Sequence, residues 1–241
     1  MRLDKLLAHM GFGTRKDVKQ LIKQGIVEVN QQKITKVGQI VDEHHDMITV
    51  LGERIYYQKY VYLMLNKPKS YISATTDPIH PTVIDIVAPE FGFLDLFPVG
   101  RLDVDTTGLL LITNNGRLAH ELLSPKKHVS KTYSALIDGL VTEEDIKIFS
   151  EGMDLGDFVS KPAKLEVLAL DTNQNKSRIK VTISEGKFHQ VKRMFHYVDK
   201  NVIELKRESM GPLVLDEKLV EGDYRELTDL ELNVLKDFGI E

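Results

Sequence analysis

Residues 100–113 read GRLDVDTTGLLLIT. Two aspartates, Asp103 and Asp105, stand one residue apart and lead through two threonines and Gly108 into an unbroken Leu/Ile run. An apolar run of this length, followed by the turn residues NNG, reads as a buried strand. Charges placed directly before such a strand sit on a loop tied to the core. A carboxylate there is partly desolvated and needs a cationic or hydrogen-bonding partner. Arg101 is too near in sequence to be taken as that partner, whereas KFHQVKRMF (187–195) offers Lys192 and Arg193. The D-x-D pair admits three readings: two metal ligands, one reacting carboxylate beside a structural acid, or two surface charges.

Working outward, strand-like stretches are YVYLMLNKP (60–68), ended by Pro68, then KTYSALIDG (131–139), AKLEVLAL (163–170), SRIKVTIS (177–184) and NVIELKRESM (201–210). TVIDIV (82–87) reads as a short helical turn, and RLAHELL, TEEDIKIFSEG, KFHQVKRMFHYV and LTDLELNVLKDFG read as helices. The acids opening TEEDIKIFSEG suit a helix N-terminus. Strands and helices alternate without a regular βαβ rhythm, so the expected class is α+β with a mostly antiparallel mixed sheet.

Toward the N-terminus, Leu3, Leu6, Leu7 and Met10 fall on one helical stripe that Gly11 and Gly13 break. Thr14 then offers an N-cap, with Asp17 three residues on completing a capping-box-like start. Val18, Leu21 and Ile22 carry that second helix to Gly25; IVEVN and QKI read as a hairpin across Asn30-Gln31, and MITVLG as a further strand. Residues 1–58 are expected to form a compact unit and 59–241 a second, with a hinge suggested by GERIYYQK (52–59).

The chain has 241 residues, 42% apolar and 28% charged, and a net charge of −4. That net value does not suggest a nucleic-acid partner, but its distribution does. Residues 1–36 hold eight Lys or Arg against three acids, and the remainder sums to −9. A basic module on a mildly acidic body suits a substrate-anchoring arm. Arg2, Lys5, Arg15, Lys16, Lys19 and Lys23 decorate the two helices, and Lys16, Lys19 and Lys23 share a face. They read either as a solvated surface or as a phosphate-binding one.

Several classes fall away. With no cysteine, thiolate nucleophiles, disulfides and Cys-based zinc sites are excluded. His189 and His196 are seven apart and His44-His45 adjacent, neither a familiar zinc pair, so no metal is expected. No G-x-S-x-G, G-x-G-x-x-G or Walker loop occurs. No apolar run approaches the roughly 18 residues of a membrane span, and MRLDKLLAHMGFGTRKD is too charged for an export signal. The expected setting is the cytoplasm, with no membrane partner, and a monomer is the default.

Two resemblances sharpen this. RLDKLLAHMGFGTRKDVKQLIKQGIVEVNQQKI, with its R-L-D-K-x-L opening, Thr-Arg-Lys at the second helix and G-x-V-x-V-N before the hairpin, resembles the S4 RNA-binding domain. A small S4 domain implies RNA held by backbone charge and shape, through Arg2, Lys5, Thr14, Arg15, Lys16, Lys19 and Lys23. GRLDVDTTGLLLIT, together with LNKPKSYIS, KTYSALIDG and ISEGKFHQVKRMFHYVDKNVIELKRESMGPLVL, resembles the pseudouridine synthases related to the small-subunit rRNA enzyme. The motifs occur in order, and D-x-D-T-T-G, K-T-Y and S-E-G-x-F-H-Q-V-K-R-M-F look most like the 16S branch.

The second resemblance implies isomerisation of one uridine of bacterial rRNA, 16S favoured, in RNA or an assembling small ribosomal subunit, with no cofactor. Asp103 is the implied catalytic residue, acting on a flipped-out nucleotide. Tyr133 packs under the base and is a candidate for proton removal from C5. Lys192 matches the cation that pairs with the aspartate, and Arg193 is a possible substitute. Arg101 and Arg193 are further candidate RNA contacts. Asp105 and Thr107 read as loop hydrogen bonding, and Asn66, Lys67 and Pro68 as loop architecture near the site. The alternatives are a large-subunit 23S rRNA synthase of the same family, a non-catalytic ribosome-assembly factor that binds RNA and, behind both, a metal-dependent sugar transferase using both aspartates.

Overall fold

A computed structural model describes residues 1–240. The chain forms two compact units, Met1–Val61 with Val87–Leu96, and Tyr62–Ile86 with the residues from Phe97 onward.

The first unit holds α1 (Leu3–His9), α2 (Arg15–Lys23), β1 (Val27–Val29), β2 (Gln32–Lys33), β3 (Ile48–Val50) and β4 (Glu53–Ile55). Its four strands pair antiparallel in the order β2-β1-β3-β4. Leu3, Leu6 and Leu7 from α1 meet Val18 and Ile22 from α2 and the alternating Val27, Val29, Ile48 and Val50 in one aliphatic core. The capping box of α2 is formed: the Thr14 hydroxyl accepts from Asp17 N, and Asp17 accepts from Thr14 N. Asn30 and Gln31 both have positive φ, 53° and 66°, as a two-residue hairpin turn with right-handed strand twist requires. The stretch expected to hinge contains β4, paired to β3 across Leu51 and Gly52, because Ile55 aligns with Ile48.

The second unit is built on β5 (Tyr62–Lys67), β6 (Phe97–Pro98), β7 (Thr107–Thr113), β8 (Lys131–Asp138), β9 (Lys164–Asp171), β10 (Lys176–Ile183), β11 (Asn201–Met210), β12 (Leu213–Val214) and β13 (Tyr224–Glu226). The main sheet runs β13-β5-β7-β11-β8-β10-β9, with β12 on β11 and β6 on β7. Among the described strands only β7 and β11 pair parallel, so the α+β, mostly antiparallel expectation holds. Every residue of β5 and β7 is buried, which is why both read as continuous apolar runs rather than alternating ones. On β8 and β10 burial alternates, so one face of each points to the core.

The remaining helices are α3 (Val83–Phe91), whose residues from Val87 are grouped with the first unit, and α4 (Gly116–Leu123), α5 (Glu143–Glu151), α6 (Gln190–Tyr197) and α7 (Asp229–Val234) of the second. Asn115 caps α4 by accepting from Arg117 N and Leu118 N, while Thr142 with Asp145 and Thr228 with Glu231 form capping boxes on α5 and α7. The last helix is shorter than its spacing suggests: α7 stops at Val234, and a 3₁₀ turn over Lys236–Phe238 leads to Gly239 in the left-handed region. No described helix is long and apolar enough to cross a membrane.

Candidate active site

The D-x-D loop, residues 101–106, enters β7 under tight restraint. Ser73 Oγ donates to Leu102 O and accepts from Leu102 N, both at 3.0 Å. Thr106 N closes a turn onto Asp103 O at 3.1 Å. From beneath, the Lys67 ammonium, on a fully buried side chain at the end of β5, donates to the carbonyls of Pro68 (3.0 Å), Asp103 (3.0 Å) and Thr106 (2.9 Å). Burial brings the Lys67 pKa down to about 8 against the pull of the Asp105 and Asp103 carboxylates. A lysine spent on backbone carbonyls fixes the direction of the Asp103 carboxylate more firmly than loop sequence would.

That carboxylate is about a quarter exposed and faces two cation-capable groups. Lys192 Nζ, from α6, lies 3.2 Å from Asp103 Oδ2, and His189 Nε2 lies 3.4 Å from Oδ1. Lys192 is also 2.7 Å from Asp105 Oδ1, so one ammonium bridges both aspartates. Burial opposes the charge on Lys192, but the hydrogen bond to Asp105 and the field of Asp103 hold its pKa above the ordinary lysine value. Burial likewise pushes Asp105 up, and Lys192 more than offsets it, leaving that carboxyl below its usual range. Asp105, expected to serve the loop through hydrogen bonds, is instead an ion-pair partner.

Arg193 points elsewhere. Its guanidinium pairs with Asp157 and donates to Leu155 O at 2.5 Å. Of the two cations that the sequence offers to the aspartate, the helix turns Lys192 toward Asp103 and its neighbour away, since adjacent helical residues do not share a face.

The loop borders a cavity of about 640 Å³. Its floor is one sheet face: Lys131 and Tyr133 on β8, Leu205 and Arg207 on β11, and Ile183 on β10. Tyr133 aligns with Arg207, and Lys131 with Ile183, across the ladders. Tyr133 is 7% exposed, so its ring forms floor rather than rim. Arg101 also lines the cavity and is exposed. His189, stacked on Phe188 with centroids 3.7 Å apart, sits at the N-terminus of α6 with φ of 50°. Among the described residues no cluster of three His, Cys, Asp or Glu could hold a metal ion.

A two-carboxylate loop bridged by a lysine, over a tyrosine-floored cavity, coincides with matches to known proteins. The family profile described as RNA pseudouridylate synthase matches residues 61–197, and the S4 domain profile matches 1–48. A Bacillus subtilis protein named as an RNA pseudouridine synthase is 46% identical over 98% of this chain and 99% of its own.

The chain belongs to the RNA pseudouridine synthase family.

The ribosomal large subunit pseudouridine synthase B of Bacillus subtilis is 39% identical, covering 99% of this chain and 98% of that protein. The ribosomal small subunit pseudouridine synthase A of Escherichia coli is 36% identical, covering 96% and 98%. A solved pseudouridylate synthase superposes with a TM-score of 0.66 at 36% identity, covering 98% of this chain and 99% of the other.

In this pseudouridine synthase the residues expected to carry chemistry, Asp103, Tyr133 and Lys192, all line one cavity. The basic arm residues Arg2, Lys5, Arg15, Lys16, Lys19 and Lys23 are exposed in the first unit. Arg2 is partly neutralised there by the buried Asp4 at 2.9 Å, and the Thr14 hydroxyl is committed to its cap. Four residues at the site escaped the sequence reading as functional groups: Lys67, Lys131, His189 and Arg207. Lys67 was legible only as part of an N-K-P loop, and His189 only as half of an unconvincing metal pair.

Proposed function

We propose that this enzyme isomerises a defined uridine of ribosomal RNA to pseudouridine, with Asp103 as the acting carboxylate. The observation that carries the reading is the pairing of Asp103 with Lys192 at the wall of a cavity floored by Tyr133. The reaction breaks the uridine N1–C1′ bond, turns the base and joins C5 to C1′. Atoms are conserved and no oxidant is required. Inside a duplex neither C1′ nor C6 is reachable, so the nucleotide is extruded at a cost of a few kcal/mol, less where it is already unpaired.

The chain's own residues divide the work. Lys192 pairs with Asp103 and aims it, and Lys67 and Ser73 hold the loop beneath it. Fixing the reacting group in this way is worth on the order of 7–11 kcal/mol in favourable cases. The exposed basic arm holds RNA by its phosphates, in keeping with the S4 match at residues 1–48.

The small-subunit 16S RNA is our first reading, from the D-V-D-T-T-G and H-Q-V-K-R-M-F motifs. The large-subunit 23S RNA is the second, favoured by the 39% identity to a large-subunit enzyme. Release of tritium from C5-labelled uridine in RNA tests the activity, and pseudouridine mapping of both rRNAs in a deletion strain tests the target. We expect one 16S position to lose its modification. A missing 23S position selects the second reading, and unchanged maps together with no tritium release overturn both.

A further inference from the structure

We propose that Lys131 and Arg207 form a cationic floor that takes up the negative charge appearing on the uracil as its glycosidic bond breaks. The proposal rests on the isomerase reading above.

Both side chains are unusual for their place. Arg207 is 2% exposed, and a fully buried arginine ordinarily faces a carboxylate. Here Nε donates to Leu109 O at 2.8 Å, while Nη2 is buried without a hydrogen-bond partner. Among the described residues Arg207 has no ion pair. Lys131 donates to Val129 O at 2.9 Å and likewise has no acid partner among them. Burial and the neighbouring Arg207 guanidinium both work against its charge, bringing its pKa down to about 8. Two adjacent cations left without an anion are costly unless something they bind supplies one.

The other charged groups of the cavity do not supply it. Glu185 is the nearest wall carboxylate in sequence to this floor, and its Oε1 accepts from Lys161 N and Gln190 Nε2 at 2.8 and 2.7 Å. Asp103 is held by Lys192 and His189. Tyr133, which aligns with Arg207 across the ladder and stands two residues from Lys131 on the same strand, is not a carboxylate. Arg101, Lys161 and Lys187 add only positive charge around the cavity.

The anion is the base rather than a phosphate for a reason of connectivity. An extruded nucleotide stays tied to its strand through its phosphates, so the base is what reaches the bottom of the cavity. When C1′–N1 breaks heterolytically, the electron pair stays on the base and spreads over N1, O2 and O4. C5 then bonds to C1′, the C5 proton leaves, and N1 takes one up, so the sum is an isomerisation. If Asp103 instead adds to C6, the charge still arrives on the base, at C5 and O4. Donors fixed where charge develops stabilise the transition state without reorganising, and losing one commonly costs 10²–10³-fold in rate.

Lys131→Met and Lys131→Arg, assayed in single turnover on the full-length enzyme, test this. The probes are one RNA carrying uridine and the same RNA carrying 5-fluorouridine, whose base leaves more readily as an anion. Rearranged nucleoside is read after nuclease digestion (from 5-fluorouridine it keeps fluorine on C5 and takes up water at C6, since no C5 proton is there to leave), and RNA affinity and thermal midpoint are measured alongside. For Lys131→Met we expect a loss of about 10²–10³-fold on uridine, at least about tenfold smaller on 5-fluorouridine, with RNA affinity unchanged. In kcat/KM, which reports groups of the free enzyme, the wild type declines as pH rises through about 8 because Lys131 loses its proton. Lys131→Arg keeps its charge and makes that decline shallower, leaving the part set by Lys67, whose pKa is also about 8. Equal losses on both RNAs, or weakened RNA affinity accounting for the loss, assign these cations to phosphate binding or packing and overturn the proposal. If Lys131→Met does not fold, the pH profile of Lys131→Arg decides: an alkaline limb identical to the wild type rejects it. Wild-type failure on uridine RNA would instead strike the isomerase reading itself.

Discussion

The two units handle charge in opposite ways. In residues 1–61 the core is aliphatic, the lysines stand in solvent, and Asp4 is the one buried charged or polar side chain among the described residues. The second unit buries Lys67 and Arg207 completely or nearly so, along with Asn66, Thr106 and Thr113. Holding a polyanion needs only many weak, screened attractions, which long exposed side chains supply at little cost in folding. Breaking a bond to carbon needs few groups fixed in low dielectric, and each must be reached by a specific partner. The difference predicts that damage to one unit shows up in binding and damage to the other in rate.

The sharpest way to break that division is Asp103→Asn. We expect tritium release from C5-labelled RNA to fall about 10⁴-fold or more, the scale seen when a reacting group is removed, with RNA affinity nearly intact. Asp105→Asn, which keeps the Asp103–Lys192 contact, is expected to be much milder. Should the two variants behave the other way round, Asp105 is the acting carboxylate.

A smaller effect belongs to the arm. Replacing Lys16, Lys19 and Lys23 together by Ala removes three exposed cations from α2. At roughly 0.7–0.9 per phosphate contact, the log-affinity slope against log salt becomes shallower by about 2–3. The single-turnover rate on saturating RNA stays as it was. A slope that does not move takes these residues out of the RNA contact.

The smallest effect is Thr14→Ala. The Thr14 cap and its Asp17 partner are local, so the loss is about 1 kcal/mol of stability in the first unit. Denaturant melts of the full chain read it, and the salt slope does not change. A changed slope would mean that the hydroxyl meets RNA as well as the helix.

Local order was legible in the sequence where local chemistry decides it. The Thr14 capping box, the Asn30-Gln31 turn and the buried run before Asn114 all need only neighbouring residues. The loop carboxylate and its lysine were legible too, though not that Lys192 would bridge both aspartates. What escaped depends on distant partners. β13 exists because Tyr224–Glu226 pair with Leu63–Leu65 across the sheet edge, and no periodicity in YRE announces it. Lys67 looks like an ordinary turn lysine until the carbonyls of residues 103 and 106 close over it. Arg207 sits in an alternating strand whose pattern says which face it takes, but not that this face is a cavity floor.

The parallel seam between β7 and β11 has a consequence in time. It sets Gly108 against the backbone of Arg207, so closely that a Cβ there would meet the Arg207 carbonyl oxygen at 2.3 Å. Arg207 and its carbonyl partner Leu109 are 98 residues apart in the chain. At roughly 5–20 residues per second, a translating ribosome delivers the aspartate loop several seconds before the strand that completes its cavity. A growing chain therefore carries the whole signature motif while still chemically idle, and becomes an enzyme only when its last third arrives.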